Sequence, residues 1–298
     1  SVKDGNALYQ GEAVANLPIA EDKVGLRAVV WGDTGGGYIE QVRNGTRHDD
    51  VNDQTVWGTR LTLGSKLSDN LNLTLMGLYQ ESEADGSQYF EFGRGDYQNI
   101  SPTKEPFDDE IKLFSAVADY DAGFGTFTGT VSYMDRELFL SRDSTPTATR
   151  FNLGVDLAYH QDQDISNLSS EFRFSSAFDG PAQVVAGVFY AEQESDARNA
   201  ALVADRATGA ARCTFHADCV SAGFARDDIN SATGNVTIDQ FAAFGQTDYQ
   251  FTDQLTATVG LRYYTADIGQ RTITTQALRH PVFTPVQTAD VLSLDEDT

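Results

Sequence analysis

Residues 255–263 read LTATVGLRY and alternate without a break. Leu255, Ala257, Val259, Leu261 and Tyr263 share one parity, and Thr256, Thr258, Gly260 and Arg262 share the other. A period of two places each set on its own face of a pleated strand, so the segment has one oily and one wet face. Residues 238–272 hold two such strands around a polar turn at Thr252, Asp253 and Gln254. Phe244, Tyr249, Phe251, Tyr263 and Tyr264 lie near the strand ends, as interfacial girdles do in outer-membrane barrels.

The same unit recurs along the chain. Strand-like pairs fall at 7–19 and 24–42, at 55–68 and 71–81, at 111–122 and 126–142, and at 166–177 and 183–193. Short turns join each pair, while long polar segments near 43–54, 93–110, 143–165 and 199–237 separate the pairs. A soluble sandwich turns every 8–12 residues and lacks this regular alternation of short and long connections. Short turns at one end and long loops at the other describe an outer-membrane barrel. An open ten-stranded sheet in lipid would leave roughly five unpaired backbone groups on each edge, a cost of tens of kcal/mol. After Thr272 the chain runs through QALRHPVFTPVQ to LSLDEDT, with no strand ending on an aromatic. The expected fold is therefore all-β: a transmembrane antiparallel barrel, of which about ten strands are present.

Other classes are excluded. The longest apolar run, 184–191, is strand-sized and far short of the roughly 20 residues of a spanning helix. The formal net charge of −23 opposes nucleic acid, which is gripped through clustered Lys and Arg. No nucleophile elbow or phosphate-binding glycine loop is present; Gly35, Gly36 and Gly37 follow a strand and read as a bend. The four histidines, His48, His160, His216 and His280, sit in loop-like, acidic surroundings. They read as ordinary loop histidines rather than as a rim-active enzyme, and no catalytic residue, metal site or cofactor is expected. Cys213 and Cys219 lie six residues apart in a polar segment, which fits a disulfide in an oxidising envelope compartment.

Several stretches resemble the TonB-dependent outer-membrane receptors of Gram-negative bacteria, most nearly the alphaproteobacterial subgroup. They are LRAVVWGDTGGGYIEQV, DDVNDQTVWGTRLTLGSKLSDNLNLTLMGLYQ followed by GSQYF, ISNLSSEFRFSS, VVAGVFYAEQES and AAFGQTDYQFTDQLTATVGLRYYT. Each is short and degenerate, and together they span nearly the whole chain in order. The resemblance implies a barrel of about 22 strands closed by a plug. Residues 1–298 would form the N-terminal part of that barrel, without the plug, the TonB-box segment or the closing strands. It further implies uptake of a scarce solute across the outer membrane, energised by the TonB complex through the plug. The solute would be a siderophore, a corrinoid or an oligosaccharide, and the surroundings lipid and lipopolysaccharide. A passive porin is the alternative.

Two groups of residues follow from this reading. Tyr38, Tyr89, Phe90, Phe92 and Tyr97 with the cation Arg94 are the candidate ligand contacts, because aromatic faces beside one fixed charge suit a bulky, partly anionic or sugar-like solute. Arg27, Arg60, Glu171 and Arg173 carry the wet parity and are expected to face the lumen, since a charge facing lipid at the midplane costs about 2–4 kcal/mol. The acidic residues from Glu81 to Glu110 read as a solvated loop, because their spacing matches no calcium loop.

Overall fold

A computed structural model describes residues 5–93, 95–223, 227–275 and 288–297. In chain order the elements are β1 (Leu8–Ala20), β2 (Val24–Gly35), β3 (Glu40–Arg43), β4 (Thr46–His48), β5 (Gln54–Ser68), β6 (Leu71–Ala84), β7 (Gln98–Asn99), β8 (Phe107–Asp121) and β9 (Gly125–Asp143). Then come α1 (Thr145–Arg150), β10 (Leu157–Ser176), β11 (Ala182–Val203), α2 (His216–Ser221), β12 (Asp228–Thr252), β13 (Leu255–Thr275) and β14 (Thr288–Asp297). Eleven strands form one antiparallel sheet in the order β1-β2-β5-β6-β8-β9-β10-β11-β12-β13-β14, and β4-β3-β7 form a small second sheet. All ten expected strands are present, and β14 is an eleventh that the sequence reading missed.

The register separates the two faces. Residues paired across an antiparallel ladder share a face. Val30, Thr59, Tyr79, Lys112, Asp135, Ser166, Glu194, Thr237 and Gly269 are joined in one row, which fixes the parity of every strand between β2 and β13. That parity carries Leu61, Leu73, Leu75, Ala116, Val131, Phe172, Val188, Val259 and Leu261. The opposite parity carries Arg60, Thr62, Thr74, Ser115, Thr130, Ser169, Gln240 and Thr258. The oily face is bare: Leu261 is 81% exposed and Val259 67%. A face that apolar over the whole sheet needs lipid against it, because in water it would far exceed the patches soluble proteins tolerate.

An aromatic row on this face measures the tilt of the strands. From Trp57 the hydrogen-bonded ladder runs through Glu81, Glu110, Glu137, Asp164, Asp196 and Asn235 to Arg271. Tyr79, Tyr133, Tyr190, Phe241 and Tyr263 lie two, four, six, six and eight residues from that ladder, always toward the short turns. Eight residues over seven strand steps is a level ring only if the strands tilt by roughly 38°, within the 35–45° of barrels. A second ring lies at the short-turn end. There Phe127 and Phe174 approach to 4.8 Å and Tyr249 and Phe251 to 4.7 Å. Between Phe241 and Tyr249 the strand rises about 26 Å, or roughly 21 Å after tilt, close to the apolar band of about 25 Å.

The strands continue well past the upper ring, where sequence reading placed loops. β8 begins at Phe107, β10 at Leu157 and β12 at Asp228, while β11 runs to Val203. The physical reason is that both faces are wet there, so alternation of oily and polar residues disappears while the ladder goes on. In return, acidic residues stand side by side on the outer face at Glu81, Glu110, Glu137, Asp164 and Asp196. Like charges opposite one another are unfavourable. Lys112 offsets some of this by pairing with Glu110 and lying 3.6 Å from Glu137, and Arg198 pairs with Asp162 at 3.2 Å.

Candidate ligand-binding site

The long-loop end is built by hydrogen bonds between segments distant in sequence. Gly35 and Gly36 adopt φ of 96° and 81°, a region open to glycine, and turn the chain off β2. Asn52, 2% exposed, then accepts hydrogen bonds from the backbone N–H groups of Tyr38 at 2.8 Å and Ile39 at 2.7 Å. Asp53 accepts from the Gly37 N–H at 2.6 Å. Ile39 is fully buried under this clasp. β3 pairs antiparallel with β4 and parallel with β7, and the Glu40 N–H donates to the Tyr97 carbonyl at 3.0 Å. This contact carries Tyr97, held at φ 56°, against Tyr38.

Four of the expected ligand-contact residues come together as a result. Tyr38 meets Tyr97 edge-on at 5.3 Å, Tyr97 meets Phe90 at 5.3 Å, and Phe90 meets Phe92 at 5.6 Å. Phe92 ends the chain of rings at 94% exposed. Tyr89 departs from this group: its hydroxyl donates to Glu105 at 2.8 Å. Arg94 lies outside the described residues. Around the cluster Glu40 binds Arg47 at 2.7 Å and receives the Gln98 amide at 2.9 Å.

Glu105 is the second fastening of the rim. It is 3% exposed and accepts from Tyr89, from the Asn99 amide at 3.2 Å and from the Asp143 N–H at 2.9 Å. Burial pushes its carboxyl up from the usual range, partly opposed by those hydrogen bonds. Asp143 is also raised by burial and accepts from Thr145 and Thr103. The Tyr89 phenol is raised in turn, first by burial and then by the charge of Glu105. No periodic or compositional signal marks Asn52, Glu105 or Asp143, because each is fastened to at least one partner far along the chain, 13 residues away for Asn52 and Ile39 and 38 for Glu105 and Asp143.

Beside the clasp lies an open cavity of about 960 Å³ lined by Gln41, Arg43, His48, Asp49, Asp50 and Asp53 among others. Burial, then Asp53 and Asp49, raise the Asp50 carboxyl. Arg43 is 8% exposed, donates to the Thr208 carbonyl at 3.0 Å, and is lowered by burial. His160, by contrast, sits on the outer face between Phe139 at 5.2 Å and Phe215 at 6.5 Å, and burial lowers it. Among the described residues no group of three or more His, Cys, Asp or Glu is placed to hold a metal ion.

Arg27, Arg60, Glu171 and Arg173 all stand on the polar face, opposite Thr62, Leu78, Thr130 and Gly187 respectively. Glu171 and Arg173 lie 3.8 Å apart. Cys213 and Cys219 are joined by a disulfide with a Cα–Cα distance of 5.0 Å. Their loop packs on Ala200 and Leu202, whose parity puts it on the outside of the wall.

Comparison with solved structures agrees with this geometry. The ferric yersiniabactin uptake receptor FyuA from Yersinia pestis superposes with a TM-score of 0.77 at 12% identity, over 99% of this chain and 42% of the receptor. The ferric-catecholate import receptor Fiu from E. coli K12 gives 0.64 at 12% identity, over 98% of this chain and 48% of that one. The ferric preacinetobactin receptor BauA from Acinetobacter baumannii gives 0.58 at 10%, over 97% and 42%. No family model and no curated protein sequence matches the chain. The chain thus spans less than half the length of the receptors it resembles, and what it shares with them is the fold: part of an antiparallel β-barrel.

Proposed function

We propose that this chain is the N-terminal part of the barrel of an outer-membrane active-uptake receptor in a Gram-negative bacterium. The single observation that carries the reading is the wall. An eleven-stranded sheet, with an oily outer face and two aromatic rings on its strands between β2 and β13, matches part of a receptor barrel over almost the whole of this chain. Lipid and lipopolysaccharide surround the oily face, and the polar face, with Arg27, Arg60, Glu171 and Arg173, meets water and a plug. Such a plug would couple the receptor to the TonB complex. The solute is captured at the rim, where Tyr38, Tyr97, Phe90 and Phe92 present a run of aromatic faces. A ferric siderophore heads the candidates, because the solved receptors compared above are named for ferric yersiniabactin, ferric catecholate and ferric preacinetobactin; a corrinoid or oligosaccharide follows.

Cells lacking the gene test the proposal. They should lose energy-dependent uptake of one labelled solute among a ferric siderophore, a corrinoid and an oligosaccharide, and regain it on complementation. Uptake that persists after the TonB complex is removed, together with steady open-channel conductance in planar bilayers, would establish a passive porin instead.

A further inference from the structure

The polar face of the wall has an oily recess just below the rim. Val56, Ala84, Phe107 and Leu140 form a contiguous patch on four neighbouring strands, joined by the pairs Val56–Ser82, Ala84–Phe107 and Phe107–Leu140. All have the parity of Arg60 and Thr62, which is otherwise mostly polar. Pro106 and the segment from Gly86 to Tyr89 complete the lining of a half-open cavity of about 540 Å³. That volume lies within the range of small-molecule sites, and an apolar lining with a few polar groups is their usual character.

The charges on the cavity have one sign available. Glu105 reaches it, but its oxygens are taken by Tyr89, Asn99 and the Asp143 N–H. Glu83 belongs by its pairing with Thr55 to the other face. Arg142 stands on the lip, exposed, and makes no ion pair with a carboxylate among the described residues. A guanidinium left in this position presents a donor fork suited to a carboxylate or similar oxyanion.

We infer that this recess is a binding site for a small amphipathic anion, with an aryl or short alkyl body held by Val56, Ala84, Phe107 and Leu140 and its oxyanion on Arg142. The site is separate from the aromatic run at the rim. Its role as a station on the solute's inward path rests on the uptake reading, while its chemistry does not.

The test is a titration of the full-length protein in nanodiscs with 2-naphthoate and its neutral isostere 2-naphthamide. The naphthoate should bind roughly ten-fold more tightly, since a charge-assisted fork is the difference between them. Arg142→Gln should bring the two within about two-fold, and Arg142→Lys should restore part of the preference. Ala84→Phe, which fills the recess, should abolish binding of both in protein that keeps its heat-modifiable mobility on gels. Equal binding of the two probes by wild type overturns the proposal, as does a preference that survives Arg142→Gln. If Ala84→Phe fails to fold, the Arg142 pair decides alone. Loss of energised uptake with naphthoate binding intact would strike the transport reading only; normal uptake with no naphthoate preference would strike the recess only.

Discussion

The wall and the rim are held by different physics. In the wall each strand bonds to its neighbours in sequence, and the side chains of its oily face stand bare, with Leu261 81% exposed and Val259 67%. At the rim the side chains are polar and buried: Asn52 is 2% exposed, Glu105 3% and Thr103 fully buried. The wall borrows its hydrophobic stabilisation from lipid, so it tolerates polar substitution on one face and not on the other. The rim borrows nothing from lipid, and depends on every buried donor and acceptor finding a partner.

The sharpest way to break this comparison is to place a charge on each face at the same depth. Val259→Arg should cost about 2–4 kcal/mol in a bilayer, and Thr258→Arg, one residue away on the polar face, less than about 1 kcal/mol. Unfolding by denaturant in lipid vesicles measures both. Equal costs would mean that no lipid lies against the oily face, and the wall would have to be reinterpreted.

The difference also decided what the sequence showed. Leu255 to Tyr263 display their faces because lipid on one side and water on the other impose a period of two. Where β10 and β12 rise into water on both sides, as at Asp162, Asp164 and Thr233, that period is gone, and strand reads as loop. The eleventh strand, β14, lies in the stretch after Thr272, where no strand ending on an aromatic was legible. The aromatic run was legible only as a cluster near Arg94. Tyr38 joins it through Asn52 and the β3–β7 pairing, contacts that no local pattern announces. Tyr89 looks like its neighbours in sequence and leaves them because Glu105 claims its hydroxyl.

Next in size is the clasp. Asn52→Ala leaves the Tyr38 and Ile39 N–H groups without their acceptor beside a buried Ile39, which should cost about 1–3 kcal/mol of local stability. Hydrogen exchange at Tyr38 and Ile39 should rise about ten-fold or more, with β10 to β13 unchanged. If exchange rises equally in the wall, the two regions are one cooperative unit.

The fastening at Glu105 and Asp143 sharpens the comparison through pH. Burial raises both carboxyls above their ordinary values of 4.5 and 3.8. A raised acid binds its proton more tightly in the folded rim than in the opened one. The stabilisation is therefore complete below those ordinary values and is lost as pH climbs through the folded ones. Protection of the Asp143 amide, corrected for intrinsic exchange, should fall as pH rises from about 4 and then level off. Glu105→Gln should flatten most of this change, and the wall should show none of it. A rise in protection over the same interval would mean that the carboxyls are stabilised as anions.

The smallest expected effect on stability is at Phe92, and there the rim's two possible roles come apart. Its ring is 94% exposed and touches Phe90 at 5.6 Å, so removing it gives up little buried area. Phe92→Ala should change stability by no more than about 0.5 kcal/mol. If the aromatic run holds a solute, the same change removes one ring face from the contact, worth about 0.5–1.5 kcal/mol. Affinity for the transported solute should then weaken by roughly 2- to 12-fold while thermal unfolding stays put. Tyr38→Phe offers the contrast, because it keeps the ring and removes only the hydroxyl, and a stacked solute should hardly notice. An unchanged affinity in Phe92→Ala would reduce the aromatic run to loop packing and leave solute contact to the cavities beside and below it.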